Sequence, residues 1–269
     1  MGQKANTTIL QISTNNTENL QKYQSSNIEE CALYLNKTAK ILPYVKKSFE
    51  DQNYWLNIIK VTYTQKHLNI FLSLYKPLKS IESKKTKDLT VIKNVATQNL
   101  LVNLNLYNEN KTVNIKIQNL NKQLSAKIRD NYIKYDLKNT LIKLKPFLKN
   151  KDFQEYLHAL IVITSTKPSS NLINKLITTF LTNNKKQHNF FLSFIKKVLT
   201  LLINTQFSVI KGVKIIISGR LNGRPRARKT ILEIGNVPQQ SIEKETDYSE
   251  GVAYTKNGTF GVKSWISYL

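Results

Sequence analysis

The chain has 269 residues and a formal net charge of +24, with 41 Lys and Arg against 17 Asp and Glu. Hydrophobic residues make up 41% of it, which is enough for a packed core and excludes a disordered basic tail. The single cysteine, Cys31, excludes an internal disulfide framework, and no apolar run approaches the roughly 18 residues of a membrane-spanning helix. A charge of this size favours a polyanionic partner, with nucleic acid first and an anionic membrane surface second.

The N-terminal part begins with polar sequence and continues with a helical pattern and two strand patterns. Its predicted elements are an extended polar arm (about residues 1–28), a helix (29–51) and a hairpin of two strands (54–64 and 67–75). The helix follows from an apolar stripe, although Pro43 predicts a break or restart within it. The hairpin follows from two runs of β-branched and aromatic residues around Gln65-Lys66.

The middle of the chain carries a second alternating pattern and several apolar segments. We predict a hairpin (100–107 with 112–118), a helix (124–147), a short helix or turn (153–157) and a buried strand (160–164). Alternation of apolar and polar residues supports the hairpin. The buried strand is predicted because its apolar run is continuous and short.

The best candidate for a domain boundary is Lys167-Pro168, so the predicted domains are residues 1–166 and 167–269. The serines that follow predict a helix N-cap. The predicted elements of the second domain are two helices (171–181 and 189–204) and four strands (213–218, about 226–234, 241–248 and 260–268). Two helices followed by four strands predict an α+β domain with its helices on one face of a mainly antiparallel sheet.

The most informative stretch is residues 218–229, which hold four of the five arginines of the chain. Arg224, Arg226 and Arg228 alternate, so on an extended backbone they would share one face. Their planar guanidinium forks match phosphate geometry, whereas a lysine is only a point charge. Pro225 has no amide hydrogen, which predicts that this segment is an edge strand or still part of a loop.

The surroundings of this stretch lack counter-charges. Residues 156–232 contain 13 Lys and Arg and no Asp or Glu. Neutralisation must come from remote acids, solvent or a polyanion, and nucleic acid fits that role. Gly219 and Gly223 would leave room for RNA to approach closely. A solvated hairpin turn is the alternative interpretation.

A second basic feature surrounds the second helix of the C-terminal half. It consists of Lys185-Lys186 and Lys196-Lys197. A solvated helix face is the ordinary explanation of such lysines, but the missing carboxylates favour contact with RNA.

Catalytic chemistry has little support in the sequence. The three histidines are His67, His158 and His188. They are scattered and stand at no catalytic spacing from a serine or cysteine, so each is expected to be a surface or core residue. Glu243, Glu245 and Asp247 alternate on a predicted strand and could mimic a metal cluster, although pairing with Arg and Lys across the sheet is favoured. We expect no catalytic residues, no metal and no cofactor.

Residues 212–223, GVKIIISGRLNG, resemble the GIKVxVSGRLGG strand and turn of the ribosomal protein S3 family of the small subunit. The resemblance continues at fixed spacings downstream. The similar segments are Ala227-Arg228, Gly235-Asn236-Val237-Pro238, Asp247-Tyr248, Gly261-Val262-Lys263 and Trp265-Ile266. At the other end of the chain, Met1-Gly2-Gln3-Lys4 is similar to the MGQK start of the family.

The resemblance implies both a fold and a function. The N-terminal domain would be a divergent KH-like domain of type II, with an insertion at about residues 78–123 and its last strand at 160–164. The chain would be a structural constituent of the small ribosomal subunit that binds rRNA in the head near the mRNA entrance. Its implied partners are small-subunit rRNA, mRNA at that entrance and neighbouring head proteins, and no membrane.

Two departures from the family pattern change the expected RNA contacts. The KH domain of the family has a GxxG loop that clamps a nucleotide backbone, but this chain has no glycine between Gly2 and Gly212, so we expect a scaffold there. The family's FRRAMKR helix reads here as FLSFIKK (191–197), which keeps the last two cations as lysines. The predicted RNA-binding residues are Lys4, Lys185, Lys186, Lys196, Lys197, Gly219, Arg220, Gly223, Arg224, Arg226, Arg228 and Lys229.

Residue usage predicts the compartment. The chain has 36 Lys, 30 Asn and 28 Ile against 8 Ala and 8 Gly, a skew that follows A/T-rich codons. With no recognisable presequence, this predicts a protein encoded and used in an organelle, with mitochondrion first and plastid second. The alternatives are an organelle-encoded maturase or nuclease, which would need carboxylates to hold Mg²⁺, and a peripheral membrane protein.

Overall fold

The computed structural model describes residues 21–77, 89–108, 111–127, 131–147, 151–165, 169–184, 187–205, 208–256 and 258–268. These residues form two compact units that divide after Leu120. We call the described residues up to Leu120 the N-terminal unit and those from Asn121 onward the C-terminal unit. Residues 121–165, which the sequence assigns to the N-terminal domain, group with the C-terminal unit, so this unit begins before the boundary predicted at residue 167.

The N-terminal unit is built on one mixed sheet with strand order β1-β2-β3-β4. Its elements are β1 (Gln21–Tyr23), α1 (Ile28–Glu50), β2 (Trp55–Tyr63), β3 (His67–Tyr75), α2 (Leu89–Tyr107) and β4 (Thr112–Asn119). The hairpin of β2 and β3 is antiparallel, whereas β1 pairs with β2 and β4 pairs with β3 in parallel. The predicted first helix and first hairpin are therefore confirmed.

Helix α1 runs through Pro43 without interruption, so the predicted break is wrong. Pro43 is exposed, whereas Ile41, Val45 and Phe49 on the same helix are buried in the core with the sheet. A proline removes one backbone hydrogen bond and crowds the preceding turn. Burial of three large apolar side chains outweighs that cost, because each contributes about 1.5–3 kcal/mol.

The second hairpin, predicted at 100–107 and 112–118, is also wrong. Residues 100–107 lie in helix α2, and only the second segment is a strand. Leu100 and Leu104 are buried one helical turn apart, while Val102 and Leu106 between and after them are exposed. The parallel pairing of β3 with β4 explains the outcome, because parallel strands need a crossover connection and α2 provides it.

The C-terminal unit combines helices with a second four-stranded sheet. Its helices are α3 (Leu120–Lys127, which starts at the division), α4 (Asn131–Leu144), α5 (Lys151–Ser165), α6 (Ser170–Asn183) and α7 (His188–Ile203). Its strands are β5 (Ile210–Gly219), β6 (Arg228–Gly235), β7 (Thr246–Thr255) and β8 (Gly258–Tyr268). The strand order is β6-β5-β8-β7 and every pair is antiparallel. This confirms the predicted α+β class and the antiparallel sheet.

The buried strand predicted at 160–164 is instead the second half of α5. Leu160, Val162 and Ile163 are at most 1% exposed, and the helix packs against both α6 and α7. A helix buried on several sides loses its amphipathic periodicity, so its apolar run cannot be distinguished from a buried strand. The last strand of the predicted KH-like fold is therefore not at this position.

Helices α6 and α7 pack on the sheet and carry the core of the C-terminal unit. Helix α6 contacts β7 and β8, and α7 contacts β5 and β6. The rings of Phe180 on α6 and Phe191 on α7 stack at 3.5 Å between centroids, and both are buried. This packing fixes the start of α7 against the end of the β5–β6 hairpin, which positions the candidate site.

The N-terminus of α6 is capped from the sheet. Ser169 occupies the N-cap position without a side-chain cap bond, and Asp247 Oδ2 accepts a 2.6 Å hydrogen bond from the Ser170 backbone amide. Strand β7 begins at Thr246, so Glu243 and Glu245 precede it and do not share a strand face with Asp247. The prediction that these three acidic residues share one strand face is therefore wrong. Asp247 instead caps the N-terminus of α6.

We predict that Asp247→Ala destabilises the C-terminal unit by about 1–2 kcal/mol because Ser170 loses its acceptor, whereas Asp247→Asn stays within about 0.5 kcal/mol. Burial raises the pKa of Asp247 above its ordinary value of 3.8, although the Ser170 amide opposes the shift. The folded chain therefore holds this proton more tightly than the unfolded chain. The contribution of Asp247 to stability should decrease as pH rises from 3.8 through the raised pKa, and Asp247→Asn should lack this decrease.

The measurement is urea unfolding of both variants at several pH values. The chain has two tryptophans, Trp55 in the N-terminal unit and Trp265 in the C-terminal unit. Fluorescence of Trp265 in a Trp55→Phe background therefore reports the C-terminal unit. Equal losses for the Ala and Asn variants would contradict the cap.

Candidate nucleic-acid interface

The basic stretch forms the loop between β5 and β6, which we call the basic loop (residues 220–227). Gly219 pairs with Arg228 where the two strands separate. A 3-10 turn at Leu221–Gly223 follows, in which the Gly223 amide donates to the Arg220 carbonyl at 3.2 Å. Leu221 is buried and anchors the turn, while every residue from Asn222 to Lys229 is exposed. The loop is thus held at its base and open along its length.

His188, the first residue of α7, fastens the basic loop to the helix. Its Nδ1 accepts a hydrogen bond from the Asn222 backbone amide at 3.1 Å, and its own backbone amide donates to Asn222 Oδ1 at 3.0 Å. Nδ1 is thus an acceptor, so Nε2 carries the proton and donates to the Asn184 carbonyl at 2.8 Å. The ring is 2% exposed and packs edge-on against Phe180 and Phe260. Of the two alternatives predicted for this histidine, surface or core, the structure shows the core, and the residue also orders the loop.

The two glycines of the site have structural reasons for being glycine. A Cβ on Gly219 would collide with the ring of Phe260, which lies on β8 beneath it. Gly223 and Asn222 both have left-handed backbone conformations, with φ of 73° and 54°. Glycine and asparagine are the residues that adopt this region most easily, so the turn depends on both. RNA approach at these two positions stays a prediction.

The arginines are not arranged as an extended strand. Arg224 lies just after the 3-10 turn, Pro225 and Arg226 form a bend, and β6 begins only at Arg228. The predicted alternation of Arg224, Arg226 and Arg228 on one strand face is therefore wrong, because the strand starts two residues later than predicted. The expectation for Pro225 is confirmed, since it lies in the loop that leads into the edge strand.

Arg220 supports the basic loop, whereas Arg224, Arg226 and Arg228 have no acidic partner among the described residues. Arg220 Nε donates a 2.7 Å hydrogen bond to the Arg224 carbonyl, which closes the turn. Among the described residues, no carboxylate lies within ion-pair distance of Arg224, Arg226 or Arg228. By contrast, Lys214 on β5 forms an ion pair with Glu233, with 3.4 Å between Lys214 Nζ and Glu233 Oε2. The exposed forks of the basic loop therefore keep their charge available to an external anion.

The predicted lysines are only partly described. Lys196 and Lys197 are exposed on α7, and the Lys197 ammonium lies 5.5 Å from the centroid of the Phe147 ring. Both lysines lie two to three turns after His188, the first residue of α7. They belong to the same unit as the arginines of the basic loop. Lys4, Lys185 and Lys186 lie outside the described residues.

Among the described residues, no group of three His, Cys, Asp or Glu side chains is arranged to hold a metal ion. None of the helices described is both long and apolar enough to span a bilayer.

The family model of the ribosomal protein S3 C-terminal domain matches residues 191–266, which run from α7 to β8 and include the whole basic loop. Residues 191–266 are thus similar to the C-terminal domain of the ribosomal protein S3 family. The resemblance noted in the sequence is thereby confirmed for the S3 C-terminal domain.

Curated relatives agree with the S3 assignment. Small ribosomal subunit protein uS3c of Cyanophora paradoxa is 41% identical over 91 residues, covering 34% of this chain and 40% of the relative. The uS3c protein of Cyanidium caldarium is 33% identical over 105 residues, covering 39% and 48%. The uS3 protein of Neorickettsia sennetsu is 31% identical over 131 residues, covering 49% and 57%. The chain thus spans about half the length of the curated relatives that it matches.

Sequence reasoning missed the two residues that order the S3 basic loop. His188 and Asn222 are 34 residues apart, and their hydrogen bonds depend on tertiary contact. One signal was available, because Asn222-Gly223 is a dipeptide that favours left-handed backbone in tight turns. It predicts the turn but not the histidine that binds it.

Proposed function

We propose that this chain is a structural constituent of a small ribosomal subunit and binds rRNA through the basic loop and the exposed face of α7. The observation that carries the proposal is the pinned loop of unpaired arginines inside an S3 C-terminal domain. A fixed loop loses little conformational entropy on binding, so its guanidinium forks are preorganised for phosphates.

The charge distribution supports backbone recognition more than base recognition. Residues 156–232 carry 13 cations and no acid, and Lys196, Lys197 and the loop arginines are exposed. Each phosphate contacted should contribute about −0.7 to −0.9 to the slope of log K against log salt. Binding by the isolated chain should therefore be tight at low salt and poorly selective for sequence.

The position in the ribosome is proposed from the family resemblance. We place the chain in the head of the small subunit near the mRNA entrance, with rRNA, mRNA and neighbouring head proteins as partners. The α7 segment 191–197 keeps two of the cations of the corresponding family helix, Lys196 and Lys197. We therefore expect this chain to bind mRNA more weakly than relatives that have the full set of arginines.

The N-terminal unit supports a KH-like interpretation in a form that differs from the predicted one. Its elements follow the order helix, two antiparallel strands, helix and parallel strand, and we take β4 as the last strand of a KH-like fold. The segment predicted as an insertion would then supply the second helix and last strand of the KH-like fold. No glycine lies in this unit, so we propose a scaffold without a nucleotide clamp.

The compartment is proposed from residue usage, which points to an A/T-rich organelle genome. Two of the relatives are uS3c proteins of plastid-containing organisms, which supports an organelle without favouring the mitochondrion. We keep mitochondrion as the prediction and plastid as its alternative, to be decided by fractionation of purified organelles.

The proposal predicts that the tagged chain sediments with small subunits from an organelle lysate and moves to the top of the gradient after RNase treatment. The reason is that the chain is held by RNA instead of by a membrane or a free protein complex. A chain that stays at the top of the gradient in untreated lysate would contradict the proposal. Mg²⁺-dependent cutting of RNA that is lost in Glu245→Gln would instead support the nuclease alternative.

A further inference from the structure

A cleft of about 410 Å³ opens in the C-terminal unit where α6 ends, α7 begins and the β7–β8 hairpin turns. Its lining includes Leu181, Asn184, His188, Tyr254 and Lys256. We propose that this cleft receives one unpaired nucleobase of the RNA held by the basic loop, an inference that rests on the proposed function. Its volume lies in the lower part of the roughly 300–1,000 Å³ range of small-ligand sites, which suits a single planar base.

The cleft offers an aromatic surface that the fold does not use. Tyr254 is 75% exposed, so its ring contributes little to the core. Leu181 and His188 are each 2% exposed and give the cleft an apolar floor. Unstacked RNA bases bind to proteins chiefly by stacking on aromatic rings, and every base has a face suited to this.

The hairpin places a cation beside the aromatic ring. Tyr254 pairs with Thr259 and Thr255 pairs with Gly258, and Thr255 Oγ1 donates a 2.7 Å hydrogen bond to the Gly258 carbonyl. Lys256 lies in the turn that follows β7, and it lines the cleft together with Tyr254. A nucleotide that stacks its base on Tyr254 would therefore have Lys256 within reach of its phosphate.

The cleft and the basic loop share one contact residue, His188. His188 lines the cleft and is also hydrogen-bonded to Asn222 in the loop. Among the described residues, no acidic side chain lines the cleft and Lys256 does, so an anionic chain complements it better than a neutral or basic peptide. An RNA strand whose phosphates lie along the arginines can thus turn one base into the cleft within the same unit.

The test compares two probes, a 12-nucleotide single-stranded oligouridylate and an abasic 12-mer with the same sugar-phosphate backbone. For the full chain, Tyr254→Ala should weaken binding of oligouridylate by about tenfold, the loss expected for one stacked base, and leave binding of the abasic probe unchanged. Tyr254→Trp should bind oligouridylate at least as tightly as the wild type. Tyr135→Ala, which removes a ring that is 67% exposed on α4, is the matched control and should change neither affinity.

The outcomes separate this inference from the proposed function. If wild type binds both probes but Tyr254→Ala matches wild type on oligouridylate, the cleft holds no base and the inference is overturned while the RNA-binding function stands. Equal losses on both probes would also overturn it, because they would indicate a backbone contact. If the wild type binds neither probe nor rRNA, the proposed function fails and the inference falls with it.

Discussion

Replacing Arg224, Arg226 and Arg228 together with alanine should weaken binding of the full chain to small-subunit rRNA by about a hundredfold at physiological salt. We base this on three lost charge-assisted contacts, each of which contributes about 1 kcal/mol or more. The same variant should reduce the slope of log K against log salt by about 2–3, because three phosphates are no longer neutralised. Stability should change little, since all three side chains are exposed and have no acidic partner among the described residues.

The matched control removes the same formal charge elsewhere. Lys40, Lys46 and Lys47 are exposed on α1 of the N-terminal unit. Their combined replacement by alanine should weaken rRNA binding by less than about tenfold, the effect of reduced long-range attraction alone. Binding curves for both triple variants at several salt concentrations decide the matter. If the two triple variants lose the same affinity, binding depends on total charge and the basic loop has no special role.

We expect His188→Ala to lower the free energy of unfolding of the C-terminal unit by about 3 kcal/mol. The substitution leaves a cavity between the rings of Phe180 and Phe260. It also removes the acceptor for the Asn222 amide and the donor to the Asn184 carbonyl. Urea unfolding followed by Trp265 fluorescence in the Trp55→Phe background measures the loss. The variant should bind rRNA more weakly as well, because the loop is no longer held.

Substitutions at Asn222 separate the hydrogen bond from the backbone conformation. Asn222→Gly keeps the left-handed backbone and loses only the bond from the His188 amide, so we expect a loss of about 1 kcal/mol. Asn222→Ala should lose about 1–2 kcal/mol more, because alanine is strained at a φ of 54°. A loss for His188→Ala that is no larger than that for Asn222→Gly would show that the imidazole does not fasten the loop.

The two segments predicted as strands but found as helices have one physical origin. Residues 100–107 alternate like a strand and residues 160–164 are continuously apolar, yet both segments are helical. Local patterns report which residues prefer burial, but the burial itself depends on what packs on each side. Helix α2 is required as the crossover between parallel strands, and α5 packs against α6 and α7, so tertiary packing decides the conformation of both segments against their local patterns.

Where a local signal marks the limit of an element, the prediction is accurate. The residues that bound α6 and the glycines of the β5–β6 hairpin end their helix and strands for local conformational reasons, whatever packs around them. The starts of β6 and β7 were misplaced because strand limits are set by pairing partners. The shift removed the predicted arrangement of Arg224, Arg226 and Arg228 on one strand face.

By itself, the sequence determined the chemistry of this protein: a surplus of cations without neighbouring acids, arginines gathered in one glycine-bearing turn, and fixed spacings shared with ribosomal protein S3. Charge and residue type are local properties and need no folded structure to be read. Only the tertiary structure decided how that chemistry is presented. It holds the basic loop through His188 and Asn222, and brings Tyr254 and Lys256 to a cleft beside it, because contacts between residues distant in the chain depend on the packed fold.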